Sequence, residues 1–301
     1  MASHTEEQGP MAQVEHDTLS INESLRLYCG EELVADPVLW TNHHLQLLGC
    51  RFSPAQHARL PWRHHASELY INDFLDDHAE KVERIATNLR IKSRTCRLRQ
   101  VLTYDDYPLV AMSQNLDLHL GDRSKNLPCQ LFSLRDEPSI MYMASIDREL
   151  VQGLRYLEME FLEPVQPSAL SEAILDLKMK KVTPRNRLHD PYIVALLLAM
   201  AREQRKFWGE LRYSKNIVAQ VLMTDCEDES VHLYAACIPD SFLDKFDSPS
   251  VKPTEQKLLL VRHMKVPLAP YETFRRRLYP ILLRPETYFK QSGQDVPLRF
   301  N

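Results

Sequence analysis

Asp190-Pro191-Tyr192-Ile193-Val194-Ala195-Leu196-Leu197-Leu198-Ala199-Met200-Ala201, continuing through Arg202-Glu203-Gln204-Arg205-Lys206 to Trp208, is the stretch that decides the fold. An Asp followed by Pro is a helix start: the carboxylate accepts from a free N–H of the first turn, and Pro fits the first position, where no donor is needed. From Tyr192 to Ala201 every residue is apolar, so no face of this helix suits water. The polar tail returns the chain to solvent. The apolar run falls short of the roughly 20 residues that a bilayer requires. The spacing therefore predicts a buried helix with the remaining elements packed on it.

Moving outward, Ile217–Thr224 and Val231–Ile238 flank the acidic turn Asp225-Cys226-Glu227-Asp228-Glu229-Ser230 and read as a hairpin. A third strand is expected over Lys257–Val266, after a Pro/Ser-rich loop at Ser248–Gln256. Asp240 or Ser241 is placed to cap a short turn through Phe246, and Pro270 opens a last helix, Tyr271–Leu283. Upstream, Lys180–Leu188 is polar, contains Pro184 and makes the best boundary. Pro167 and Ser168 start a helix through about Lys181, with Leu170, Ile174 and Leu177 inward. The alternations Leu116–Leu120 and Leu157–Phe161, the pair Leu98 and Leu102 with Tyr104, and the apolar runs Cys129–Leu134 and Ile140–Ile146 read as strands of a mostly antiparallel sheet with one wet face. Short helices are expected near Glu23–Cys29 and Pro37–Leu48, and a long one from Ser67 to about Arg90. The reading is α+β: N-terminal helices, an antiparallel β-rich middle, and a C-terminal helix-strand-strand-strand-helix unit around the buried helix. Its divisions are a disordered tail at 1–18, a region at 19–184 and a unit at 185–301, the last two separate or one continuous domain.

The 44% hydrophobic and 26% charged content is that of a water-soluble globular chain, and a net charge of −4 gives no global field for nucleic acid. Only seven glycines occur, at 9, 30, 49, 121, 153, 209 and 293. Phosphate-cradling loops need clustered glycines so that backbone amides can approach, so dinucleotide and Walker-type binding are disfavoured, as is a nucleophile elbow. The six cysteines form no C-x-x-C pair and no apolar leader follows Met1, which predicts an intracellular protein, cytoplasmic or nuclear, with reduced thiols.

The segment from His189 to Ala201 resembles a signature of an uncharacterised family of filamentous-fungal proteins. Val231-His232-Leu233-Tyr234-Ala235-Ala236, Phe242-Leu243-Asp244-Lys245-Phe246-Asp247 and Pro270-Tyr271-Glu272-Thr273-Phe274-Arg275-Arg276-Arg277-Leu278 fit the same family. The resemblance spans about residues 188–283 and implies a fungal intracellular protein with no established activity.

Several groups of residues offer chemistry beside an ordinary structural role. The order helix, strand, strand, strand, helix resembles the core of the PD-(D/E)XK nucleases, with Pro239-Asp240, then Glu255-Gln256-Lys257, and Glu203 on the preceding helix. In that chemistry Glu203, Asp240 and Glu255 hold Mg²⁺ and Lys257 stabilises phosphoryl charge. Pro239-Asp240 stands at a strand end and a Pro-rich loop separates it from Glu255, so a cap and solvated side chains are the favoured reading. Arg275, Arg276 and Arg277, with Lys178, Lys180, Lys181, Arg185 and Arg187, can contact nucleic acid phosphates or form solvated faces. His43, His44, Cys50, His57, His64, His65 and His78 crowd the N-terminal region without the spacing of a zinc site. The acidic residues of the 225–229 turn are expected to keep an exposed tip soluble. The leading expectation is a non-enzymatic interaction or regulatory protein with a protein partner and no cofactor; the alternative is a Mg²⁺-dependent nuclease-like phosphodiesterase or an inactive relative.

Overall fold

The computed structural model describes residues 19–23, 36–57, 76–103, 108–162, 169–209, 216–252 and 258–284. Its elements in chain order are α1 (Asn42–Leu48), β1 (Cys50–Phe52), β2 (Gln56–His57), α2 (Asp76–Thr87), α3 (Ile91–Leu102), β3 (Leu109–Met112), β4 (Asp117–Leu120), β5 (Arg123–Asn126), β6 (Gln130–Leu134), β7 (Met143–Asp147), α4 (Arg148–Leu162), α5 (Ala169–Val182), α6 (Pro191–Trp208), β8 (Asn216–Thr224), β9 (Ser230–Pro239), α7 (Asp240–Asp247), β10 (Leu259–Pro267) and α8 (Phe274–Leu283).

Helix α6 is capped as its sequence dictates. The Asp190 carboxylate accepts from the Tyr192 N–H at 3.0 Å, and Tyr192 through Ala201 are buried. The same carboxylate pairs with the fully buried Arg155 of α4, whose Nη2 lies 2.9 and 3.0 Å from its two oxygens. Arg155 Nε donates to the Val38 carbonyl at 2.7 Å. One Asp thus closes the helix end and ties α4 and the segment before α1 to it.

The sheet runs β1-β10-β9-β8-β7-β6-β3, with β2 also on β10. It is mixed: β7 with β8, and β1 and β2 with β10, are parallel, and the other pairings are antiparallel. One face carries α6, α1, α4 and α7, with the separate β4–β5 hairpin; the other carries α2, α3 and α8. Along β8, Ile217, Ala219, Val221 and Met223 face the α6 side. Leu222 faces the opposite side, as does Gln220, which donates to the Leu282 carbonyl at 3.2 Å. The fold is mixed α+β, and the sheet continues across the polar 180–188 segment because β7 pairs with β8.

Several local expectations are corrected. The centre of the sheet is covered on both faces, not wet on one: β7 is buried throughout and β8 everywhere but its first residue. Leu98 and Leu102 lie on helix α3, their spacing of four being one helical turn. Leu157–Phe161 belongs to α4, whose buried residues Val151 and Arg155 are also four apart. Ile174 and Leu177 face solvent, not the core. The helix expected over 67–90 ends at Thr87 and a second begins at Ile91; its start lies outside the described residues, as do the 1–18 tail and most of the 23–29 helix. The strands Leu116–Leu120, Cys129–Leu134, Ile140–Ile146 and the three C-terminal ones appear within a few residues of their expected bounds. No helix among the described residues is long and apolar enough to cross a membrane.

Candidate functional site

Parallel neighbours β7 and β8 end level with each other, Asp147 opposite Thr224. In open sheets with parallel strands, ligand sites favour this carboxyl end. Here the rim collects charge. Arg94 of α3 is completely buried and grips Asp147 in a fork, Nε to Oδ2 at 2.8 Å and Nη2 to Oδ1 at 2.7 Å. Its Nη2 also bonds Glu149, and its Nη1 donates to the Asn88 carbonyl at 2.9 Å. Thr224 Oγ1 donates to Asp147 Oδ2 at 2.8 Å, and the Glu149 N–H to Asp147 Oδ1 at 3.1 Å. Burial opposes the charge on Arg94, but the hydrogen bond and charge of Asp147, with Glu149, reverse this and hold its pKa above the usual value.

The rim extends into the β8–β9 turn. Asp225 is buried; Arg148 Nη1 stands 3.7 Å from one of its oxygens and Arg187 Nε 3.6 Å from the other. Arg148 also pairs with Glu149 at 3.3 Å and Glu227 at 3.7 Å, and Arg187 with Glu227. The Cys226 thiol lies 3.2 Å from Glu149 Oε1. Burial and then the Asp147 carboxylate raise the pKa of Glu149, and burial with Glu149 raises that of Cys226. Cys226 is therefore a thiol donor to Glu149, not a nucleophilic thiolate.

Beyond it, Asp228 pairs with Lys265 at 2.8 Å and approaches His232 Nε2 at 3.3 Å. His232 Nδ1 lies 2.9 Å from His263 Nε2, and both rings are buried. Tyr234 stacks on His263 with centroids 4.6 Å apart. The carboxylate favours a proton on His232 Nε2, so His263 Nε2–H donates to His232 Nδ1. Burial lowers the pKa of His232 to about 4 and that of His263 to about 3. The pair is neutral at pH 7.

Donor atoms of Glu149, Asp225 and Cys226 lie within 4.8 Å of one another, the one such triplet among the described residues. A sulfur ligand suits zinc and not Mg²⁺, which demands oxygen. Arg148 already sits between the two carboxylates. The triplet thus shares no residue with the sequence-predicted set. Of that set, Glu203 pairs with Lys206 on α6. Asp240 is the first residue of α7, with Pro239 as its cap residue. Glu255 and Lys257 lie outside the described residues. The three arginines of α8 do not form one patch. Arg275 is buried against the Tyr279 ring, and Arg277 donates to the carbonyls of Leu268 and Pro270 at 2.8 and 2.9 Å, leaving Arg276 exposed. His44 serves α1, accepting from the Thr41 N–H at 2.9 Å, and Cys50 is buried. The side chain of His57 and all of His64 and His65 lie outside the described residues.

The acidic turn is not a solvated tip: Asp225 and Asp228 are its most tightly held members. Sequence reading missed this rim because Arg94 and Asp147 are 53 positions apart and His232 and His263 are 31 apart. It also missed a surface. Tyr156 and Leu157 on α4 are 46% and 61% exposed, and Ile174 and Leu177 on the neighbouring α5 are 42% and 60% exposed. Compared with known proteins, the chain matches no family model and no curated protein.

Proposed function

We propose that the protein is a non-enzymatic interaction or regulatory protein that works through the exposed side of the α4–α5 pair, in keeping with its resemblance to a fungal family of no established activity. One observation carries this reading: four large apolar side chains, Tyr156, Leu157, Ile174 and Leu177, stand in solvent on two helices that pack together. Single exposed apolar residues are ordinary, but a group on one structural unit marks an interaction surface. The rim supports the same division of labour, since its carboxylates are held by Arg94, Arg148 and Arg187 and its thiol is protonated. Leu157→Asp with Ile174→Asp changes only exposed positions. The variant is expected to keep its melting temperature and lose the proteins that co-purify with the wild type in the cell. Equal recovery by both proteins would refute the reading.

We also propose that the protein is intracellular, a reading supported by Cys50, Cys96, Cys129 and Cys226, which form no disulfide. Thiol titration of the denatured chain is expected to return six; four or two would contradict it. A metal-dependent phosphodiesterase is the second reading, favoured by the converging donors of Glu149, Asp225 and Cys226.

A further inference from the structure

The carboxylates of the Glu149, Asp225 and Cys226 triplet are each held from behind by a donor. Glu149 Oε2 takes the bond from buried Arg94, which leaves Oε1 to the Cys226 thiol at 3.2 Å. Asp225, only 3% exposed, accepts the Glu227 N–H on Oδ1 at 2.9 Å. Its Oδ2 is buried and accepts no hydrogen bond among the described residues, and Arg187 Nε stops 3.6 Å away. A buried carboxylate oxygen without a donor carries a desolvation cost that a bound cation removes. Carboxylates fixed by hydrogen bonds on one oxygen are what a metal site requires of its ligands.

The spacing fits a single ion. Ligands about 2.0 and 2.3 Å from a tetrahedral zinc, one oxygen and one sulfur, lie about 3.5 Å apart. Glu149 Oε1 and Cys226 Sγ are 3.2 Å apart, and all three donor atoms fall within 4.8 Å. The charge fits too. Asp147, Glu149, Asp225 and Glu227, with Cys226 as thiolate, outnumber Arg94, Arg148 and Arg187 by two, which a divalent ion cancels. Sulfur beside two carboxylates selects zinc over Mg²⁺ and Ca²⁺, which take oxygen alone. Arg148 is the competitor. Its Nη1 stands 3.3, 3.7 and 3.7 Å from Glu149, Asp225 and Glu227, where a closed charge-assisted bond measures about 2.7–2.9 Å. Its Nε is buried without a hydrogen bond among the described residues. Arg148 thus spans three carboxylates and closes tightly on none, and its side chain keeps some exposure through which to leave.

We propose that Glu149, Asp225 and Cys226 bind one Zn²⁺ in competition with Arg148, fastening the start of α4 to the β8–β9 turn. A fourth place is left to water, as in other zinc sites with three protein ligands. The proposal goes beyond both readings of function and does not depend on the α4–α5 surface. The full chain, stripped by chelator and kept reduced, is titrated with Co²⁺ and then Zn²⁺. Co²⁺ is expected to give a thiolate-to-cobalt charge-transfer band in the near ultraviolet, and one equivalent of Zn²⁺ to bleach it and raise the melting temperature. Cys226→Ser is expected to lose the band while Cys96→Ser keeps it. Glu149→Gln is expected to weaken Zn²⁺ about tenfold or more. Arg148→Gln, which removes the competing charge, is expected to tighten it about tenfold or more. Each variant's melting temperature in chelator shows that it folds. Zn²⁺ bound without cleavage of a phosphodiester supports the proposal and refutes the second reading of function. No band in the wild type, a band that survives Cys226→Ser, or Zn²⁺ affinity unmoved by Glu149→Gln and Arg148→Gln would overturn the proposal.

Discussion

Asp147→Ala tests whether the rim holds the molecule together. The substitution removes the fork to Arg94, the acceptor for Thr224 Oγ1 and the acceptor for the Glu149 N–H. Arg94 has no exposed surface. Removing one partner of a buried ion pair costs about 3–5 kcal/mol, because the remaining charge is stranded. Glu149 and the Asn88 carbonyl still hold the guanidinium, so the loss is expected near about 3 kcal/mol, the lower end of that range. Replacing Arg94 as well, by Met, removes the stranded charge. The double variant is then expected to be at least about 1 kcal/mol more stable than the sum of the two single losses predicts, since residues in one network are not additive. Urea denaturation at pH 7 of the wild type, both single variants and the double variant measures this. A loss below about 1 kcal/mol for Asp147→Ala, or strictly additive losses, would show that the fork is not what joins α3 to the sheet.

Other outcomes follow from the packing, the buried imidazoles and the donor triplet. Leu197→Ala, in the fully buried part of α6, is expected to cost about 2–5 kcal/mol in the same assay. His232 and His263 titrate in the folded protein at about 4 and about 3, below the ordinary value near 6.5, so the unfolded chain binds more protons in that window. Stability is then full above about pH 6.5 and falls with pH through the window; at pH 5 the pair is expected to cost about 2–4 kcal/mol relative to pH 7.5, less in a His232→Leu/His263→Leu variant. Mg²⁺ is expected to leave the melting temperature unchanged; a rise with Mg²⁺ that vanishes in Glu149→Gln would favour the phosphodiesterase reading.

Where the sequence was legible, the signal was long and local. Helix α6 carries its cap, its Pro and ten apolar residues in one run, and only burial on every side satisfies them. The β8–β9 hairpin shows two apolar runs around a polar turn. Where it misled, the window was short. Five alternating residues at Leu157–Phe161 fit a strand, while the fifteen of α4 fit a helix with its buried stripe through Val151 and Arg155. The same shortness made Ile174 and Leu177 look inward: helical spacing names a face but not what covers it. The rim was invisible because it is assembled from α3, β7, α4, the segment before α6 and the β8–β9 turn, and no spacing rule joins residues brought together only by the sheet. Asp225 and Asp228 therefore read as solvated turn residues, although arginine and lysine partners make their burial tolerable.

Amide hydrogen exchange tests the central claim most directly, comparing the wild-type chain in its assembled state with the same chain carrying Leu157→Asp and Ile174→Asp. The account predicts that exchange in the wild type is slowed along α4 and α5 and unchanged in the Thr224–Ser230 turn. Protection confined to that turn, with α4 and α5 exchanging alike in both proteins, would contradict it.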